Sequence, residues 1–183
     1  MSGSQVYKSP MSAPCLACDI STRNLGWCAS VAGGVAPEWG LILLPGMSDL
    51  GKLYGAVRNS LCDLVERFQP RVLAWCMPTY SAAQTTARAL NGVAAVAALV
   101  CHDYDLKPRI EVESHVRLVV LGRGSFGKRG PDRKIIKGSG TVEVKRAVLA
   151  WCAAHGFQTT SDDVGDACVL HEYVRRSPAR RIK

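Results

Sequence analysis

Apolar and polar positions change period along this chain, and the changes divide it into elements. Cys15-Leu16-Ala17-Cys18-Asp19-Ile20 is a short apolar run closing around an acid, the pattern of a buried strand. Ser21 to Gly26 supplies turn chemistry, Trp27 to Val31 resumes as a strand, and Gly33-Gly34 turns the chain into a third strand over Trp39 to Leu44. Three early strands with short joins predict an antiparallel meander. From Leu50 the period becomes helical: Leu53, Tyr54, Val57, Leu61, Leu64, Val65 and Phe68 follow at three- and four-residue steps until Pro70. Val72 to Met77 is a solid apolar run too short for a helix, hence a buried strand. Ala82 to about Tyr104 is Ala-rich and nearly apolar throughout, which predicts a long, largely covered helix. A strand over Ile110–Val112, a short helix over His115–Leu121, and helices over Thr141–His155 and Asp162–Arg176 complete the series. Strands and helices in this order predict a mixed-sheet α/β domain.

The composition agrees with one domain. A length of 183 residues with 48% apolar content supports a single sizeable core, and 21% charged residues exclude a disordered polymer. No apolar run approaches the ~20 residues that span a bilayer, and Met1 to Lys8 lacks the apolar stretch of a secretory signal. The expected organisation is a flexible leader over 1–13, a domain over 14–176 containing a mobile loop at 122–140, and a basic tail over 177–183. The eight cysteines include the pair Cys15 and Cys18, without a second close pair or a histidine at zinc-like spacing. Most sit in apolar runs, where a free thiol behaves as a small hydrophobe. Reduced core cysteines and a cytoplasmic location are expected.

Charge is unevenly placed. Of a net +8, residues 123–146 carry +6 and residues 175–183 carry +5, which leaves the remainder near −3. Two basic appendages on a near-neutral body point to a polyanion, nucleic acid being the commonest; a solubilising loop and a frayed tail are the other reading. Gly122 to Gly140 holds six glycines, Pro131 and the basic residues Arg123, Lys128, Arg129, Arg133, Lys134 and Lys137. A basic loop of this kind can neutralise several phosphates as an adaptable clamp that reads shape more than sequence. Trp27, Tyr80 and Phe126 are candidate base-stacking residues as well as candidate packing residues.

Acids mark the candidate chemistry. Asp19 ends the first strand where packing does not need a carboxylate. Asp163 and Asp166 stand one helical turn apart on the last helix, so both can converge on one point. Hard cations such as Mg²⁺ take oxygen ligands, and two of them about 4 Å apart can hold the attacking and leaving oxygens of a phosphodiester. Helix capping by Asp162 and Asp163, with Asp19 starting a turn, explains the same residues without a metal.

Order and context separate these readings. Ala17-Cys18-Asp19-Ile20-Ser21-Thr22-Arg23-Asn24-Leu25-Gly26-Trp27, then Ala87 to Gly92, then Val116 to Ser125, then Asp163-Val164-Gly165-Asp166-Ala167 resemble the RuvC family of Holliday junction resolvases, within the ribonuclease H-like superfamily. The pieces run in family order over roughly residues 15–175, and the Gly/Lys/Arg loop before Val144-Lys145-Arg146-Ala147-Val148 looks most like phage-encoded members, whose site of action is the bacterial host's cytoplasm. The resemblance implies a ribonuclease H-like mixed five-stranded sheet flanked by helices, a homodimer, and Mg²⁺- or Mn²⁺-dependent cleavage of four-way junctions or related branched DNA. It implies Asp19, Asp163 and Asp166 as metal ligands, and Lys145 near a family lysine that meets phosphate or developing charge.

One position departs from the family. Where it places a glutamate on the strand before the long helix, the run Leu73-Ala74-Trp75-Cys76-Met77-Pro78 offers Cys76, a soft donor poorly suited to Mg²⁺. Glu111 and Glu113, expected on the next strand, and Asp162 are the acids able to compensate. Without compensation the reading becomes a catalytically impaired protein that binds branched DNA. A ribonuclease H-like nuclease acting on RNA–DNA hybrids or flaps is the other alternative.

Overall fold

A computed structural model describes residues 13–30, 36–78, 83–127 and 140–177. Lys128, Arg129, Arg133, Lys134 and Lys137 of the basic loop, Tyr80, most of the leader and most of the tail lie outside the described residues.

Five strands form one mixed sheet: β1 (Cys15–Ile20), β2 (Asn24–Ala29), β3 (Glu38–Leu43), β4 (Val72–Cys76) and β5 (Lys107–Glu111), in the order β3-β2-β1-β4-β5. The first three pair antiparallel as the expected meander, and β1, β4 and β5 run parallel. Helices α1 (Leu50–Phe68), α2 (Gln84–Asp103), α3 (Glu113–Leu121), α4 (Thr141–Ala154) and α5 (Asp162–Arg176) flank it. This is the ribonuclease H-like α/β architecture.

Alternation along each strand sorts the core into two layers of different grain. Leu16, Cys18, Leu25, Trp27, Leu73 and Trp75 point to the face that α1 and α2 cover. Ala17, Cys28 and Ala74 point to the other, where α5 lies with α3 and α4 around it. Large side chains fill the first layer. The small ones of the second let α5 come close, and its stretch from Val164 to Tyr173 is almost wholly buried. Gly26 shows how close: a β-carbon there would stand 2.2 Å from the Asp163 carbonyl oxygen. Gly165 plays the same part against α4, where an added β-carbon would fall 2.6 Å from Val148.

Three expectations need correction. Glu113 does not lie on a strand; it opens α3, because β5 begins at Lys107 and ends at Glu111. The charged residues and Pro108 of β5 hide its strand pattern, and they are tolerated because β5 is an edge. Among the described residues, helix α2 buries one side only, that of Ala89, Val93, Ala97, Val100 and Cys101, while Leu99 is exposed. Trp27 is buried against Phe68 at 5.3 Å between ring centres and presents no face for a base. The cysteines are as expected: all eight are free, and six of them are buried.

Candidate active site

The site gathers at one end of the sheet, on the side that α5 covers. Asp19 sits at the last turn of side-chain alternation in β1, opposite Gly26 of β2. Cys76 ends β4, one step past the register pair Cys18–Trp75, so its thiol comes level with Asp19 on the same face. Over them lies the first turn of α5. Ser161 caps that helix, accepting from the Val164 amide. The capping role considered for the aspartates is therefore taken by Ser161, and Asp163 is left to accept a 2.7 Å hydrogen bond from Asn24 Nδ2.

Asp166, one turn later, meets α3. Arg117 Nη2 donates to both Asp166 oxygens at 3.1 Å, and Arg117 Nε donates to Asp166 Oδ1 at 3.3 Å. The same Nη2 reaches Glu113 Oε1, one turn earlier on α3, at 2.5 Å. Arg117 is only 14% exposed, so this is a desolvated contact and not a surface ion pair.

The electrostatics show that the acids share a neighbourhood. Burial, then the charges of Asp166, Glu113 and Asp163, hold the Asp19 carboxyl well above the usual carboxylate range, with Arg117 opposing them. Asp166 is pushed up to about 6, first by burial, with Glu113 adding to it and Arg117 pulling it back. Burial and the charges of Asp19, Glu113 and Asp166 also push the Cys76 thiol up, which keeps it a neutral S–H. Burial works against the Arg117 charge, but Asp166, Glu113 and Asp19 outweigh it and hold its pKa above the ordinary value.

The three aspartates named from sequence thus come from opposite ends of the chain to one place, and Cys76 joins them. Lys145 is set slightly apart: it begins α4, is half exposed, and pairs with Asp162 at 2.5 Å. Its pKa is raised by that bond, with smaller help from Asp163 and Asp166. Asp162 is therefore committed to Lys145. Glu111 is committed to Arg109, at 2.7 Å. Of the three acids that could replace the missing glutamate, Glu113 is the one whose charge is felt at both Asp19 and Cys76. Arg123 lies just beyond α3, donates to the Ser125 carbonyl and covers the Phe126 ring at 5.1 Å.

Sequence reasoning gave no role to Arg117 or Asn24. A lone arginine in the apolar helix Val116–Leu121, four residues after a glutamate, was the available signal; Asn24 offered none beyond a polar residue at the start of a strand.

Among the described residues, no three acid, cysteine or histidine side chains converge in an arrangement ready to hold a metal ion. Arg117 occupies Asp166 and Glu113, and Asn24 holds Asp163. By donor type and charge the group still fits a hard cation. Asp166, Glu113 and Asp19 act on the one guanidinium of Arg117, Asp163 lies close to Asp19, and burial together with this excess of acids holds Asp19 and Asp166 up.

A scan against protein-family models gives no match, and a search of curated proteins gives none. Solved structures do match. The Thermus thermophilus RuvC structure aligns with a TM-score of 0.62 at 13% identity, covering 89% of this chain and 95% of that one. T. thermophilus RuvC in complex with Holliday junction substrate gives 0.63 at 12% identity over the same shares. The yeast mitochondrial Holliday junction resolvase Ydc2 gives 0.52 at 13% identity, covering 92% of this chain and 79% of that one. The chain has the fold of these resolvases. Among its described residues, no helix is long and apolar enough to cross a membrane.

Proposed function

We propose that this protein, built on the RuvC fold, is a divalent-metal-dependent endonuclease that cuts four-way junctions or related branched DNA as a homodimer. The observation that carries the reading is the meeting of Asp19 from β1 with Asp163 and Asp166 from α5 on one end of the sheet. Asp19, Asp163 and Asp166 would hold Mg²⁺ or Mn²⁺, and Glu113 would supply the carboxylate that the neutral Cys76 thiol does not. A bound divalent ion supplies positive charge to the phosphoryl oxygens and lowers the pKa of water near it. Around that centre the chain's own groups divide the work. Asn24 orients Asp163. Lys145, exposed at the start of α4, meets a phosphate oxygen of the bound strand. Arg123 and the loop residues Lys128, Arg129, Arg133, Lys134 and Lys137 neutralise phosphates flanking the branch, which makes affinity salt-dependent. Two copies related by a two-fold axis present two such sites, matching the symmetry of a four-way junction.

Nicking and band shift of a synthetic four-way junction in Mg²⁺ or Mn²⁺ test this reading. Asp19→Asn is expected to lose cutting while binding the junction as well or slightly more tightly, because a negative charge facing phosphate is removed. Cys76→Glu is expected to lower the Mg²⁺ concentration needed for cutting. Undiminished cutting by Asp19→Asn overturns the assignment. Junction binding without nicking by the unaltered protein would leave a branched-DNA binder, and preference for an RNA–DNA hybrid or a flap would change the substrate.

A further inference from the structure

The place of Arg117 has a consequence for metal binding. Its guanidinium is anchored on the same carboxylates that a hard cation would need, touching both oxygens of Asp166 and one of Glu113. It cannot leave by losing its proton, since a guanidinium stays charged at any ordinary pH. A divalent ion entering beside it would meet a like charge at close range in a partly desolvated site, where such repulsion is strong. Yet three carboxylates, Asp166, Glu113 and Asp19, act on this single guanidinium, and Asp163 lies close to Asp19, so acids outnumber bases here and the cluster still attracts a cation. Helix α3 carries both Glu113 and Arg117, one turn apart, and every contact of Arg117 with the acids is made by its side chain, so releasing them asks for side-chain rotation and not for unwinding of the helix.

Resting on the metal-site reading above, we propose that Arg117 is an internal counter-ion that competes with the divalent metal for Asp166 and Glu113. It neutralises the acids when the metal is absent and sets a ceiling on metal affinity. Metal loading then requires the guanidinium to swing off both carboxylates. Freed, the guanidinium can pair with a phosphate, the other anion of the proposed reaction.

Mn²⁺ titration of the full chain without DNA, read from the free-Mn²⁺ paramagnetic resonance signal, tests this directly. Arg117→Gln is expected to bind Mn²⁺ on the order of tenfold more tightly than the unaltered protein. Arg117→Lys, which keeps a charge but not the fork that spans two carboxylates, should fall between them. Asp19→Asn should bind weakly. If Arg117→Gln binds Mn²⁺ no more tightly while Asp19→Asn loses it, the competition is overturned and the metal site stands. If Asp19→Asn binds Mn²⁺ like the unaltered protein, the metal-site reading itself fails. Should Arg117→Gln not fold, Arg117→Lys decides: affinity at or below that of the unaltered protein overturns the proposal.

Discussion

Asp166 shows how one residue's surroundings become a property of the protein. Burial and Glu113 push its pKa up to about 6, against the pull of Arg117. The folded form therefore keeps its proton to higher pH than the unfolded chain does. The stability it contributes is full below the unfolded value near 4 and is lost as pH rises through about 6. In EDTA, Asp166→Asn should gain stability relative to the unaltered protein across that window, on the order of 2 kcal/mol, read as the difference in urea midpoints at each pH. Parallel pH profiles would mean that Asp166 is not strained by its neighbours. The residues of this site differ in how legible they were. Asp19 stood out because a carboxylate at the end of an apolar strand has no packing role. Arg117 did not, because an arginine four residues after a glutamate reads equally well as an ordinary helix-surface pair. Cys76 was legible as a departure, and its surroundings explain why it stays a neutral thiol: burial first, and then the acids that would recruit a metal, hold its proton.

The elements position the site through the size of the side chains they present. Strand alternation puts Ala17, Gly26, Cys28 and Ala74 under α5, and their small size lets that helix lie almost on the sheet. The depth of this packing, not the helix propensity of its sequence, brings the first turn of α5 onto Asp19. Gly26→Ala tests the point, since its β-carbon would overlap the Asp163 carbonyl and neither backbone can yield cheaply. The expected cost is about 3 kcal/mol by chemical denaturation. Asp163 should also be pushed off Asn24, so that Mn²⁺ affinity falls more than stability alone explains. An unchanged affinity in folded Gly26→Ala would mean that Asp163 does not need this close approach. Periodicity located every helix and strand among the described residues, but it started β2 at Trp27 instead of Asn24 and blurred two other elements. The edge strand β5 was placed late because its charged residues and Pro108 conceal alternation, and Glu113 was consequently assigned to a strand instead of the start of α3. The apolar run of α2 overstated its burial, because an Ala-rich helix reads the same whether one side or both are covered.

Across the whole molecule, charge separates into a near-neutral body and basic segments at residues 123–146 and 175–183. Under the proposed function, an acidic centre that meets a phosphate backbone needs such a surrounding field, since acids alone would repel it. Deleting residues 124–136 removes Lys128, Arg129, Arg133 and Lys134. Junction affinity should fall, and the slope of log affinity against log salt should shrink by roughly 3. The folded body should unfold at the same denaturant concentration. An unchanged slope would show that the loop does not touch phosphate. Period, apolar run length and turn chemistry are local properties of the backbone, so the kind and order of the elements were written in the chain, as were the lone acids at their ends and the segregation of charge. Which of those acids meet, that Glu113 joins them while Glu111 and Asp162 pair elsewhere, and that Arg117 stands in their midst were decided only when α5 and α3 packed against the sheet. Those contacts depend on how closely and at what height the elements approach, and that is set by the fit of many small side chains at once, which no stretch of sequence states alone.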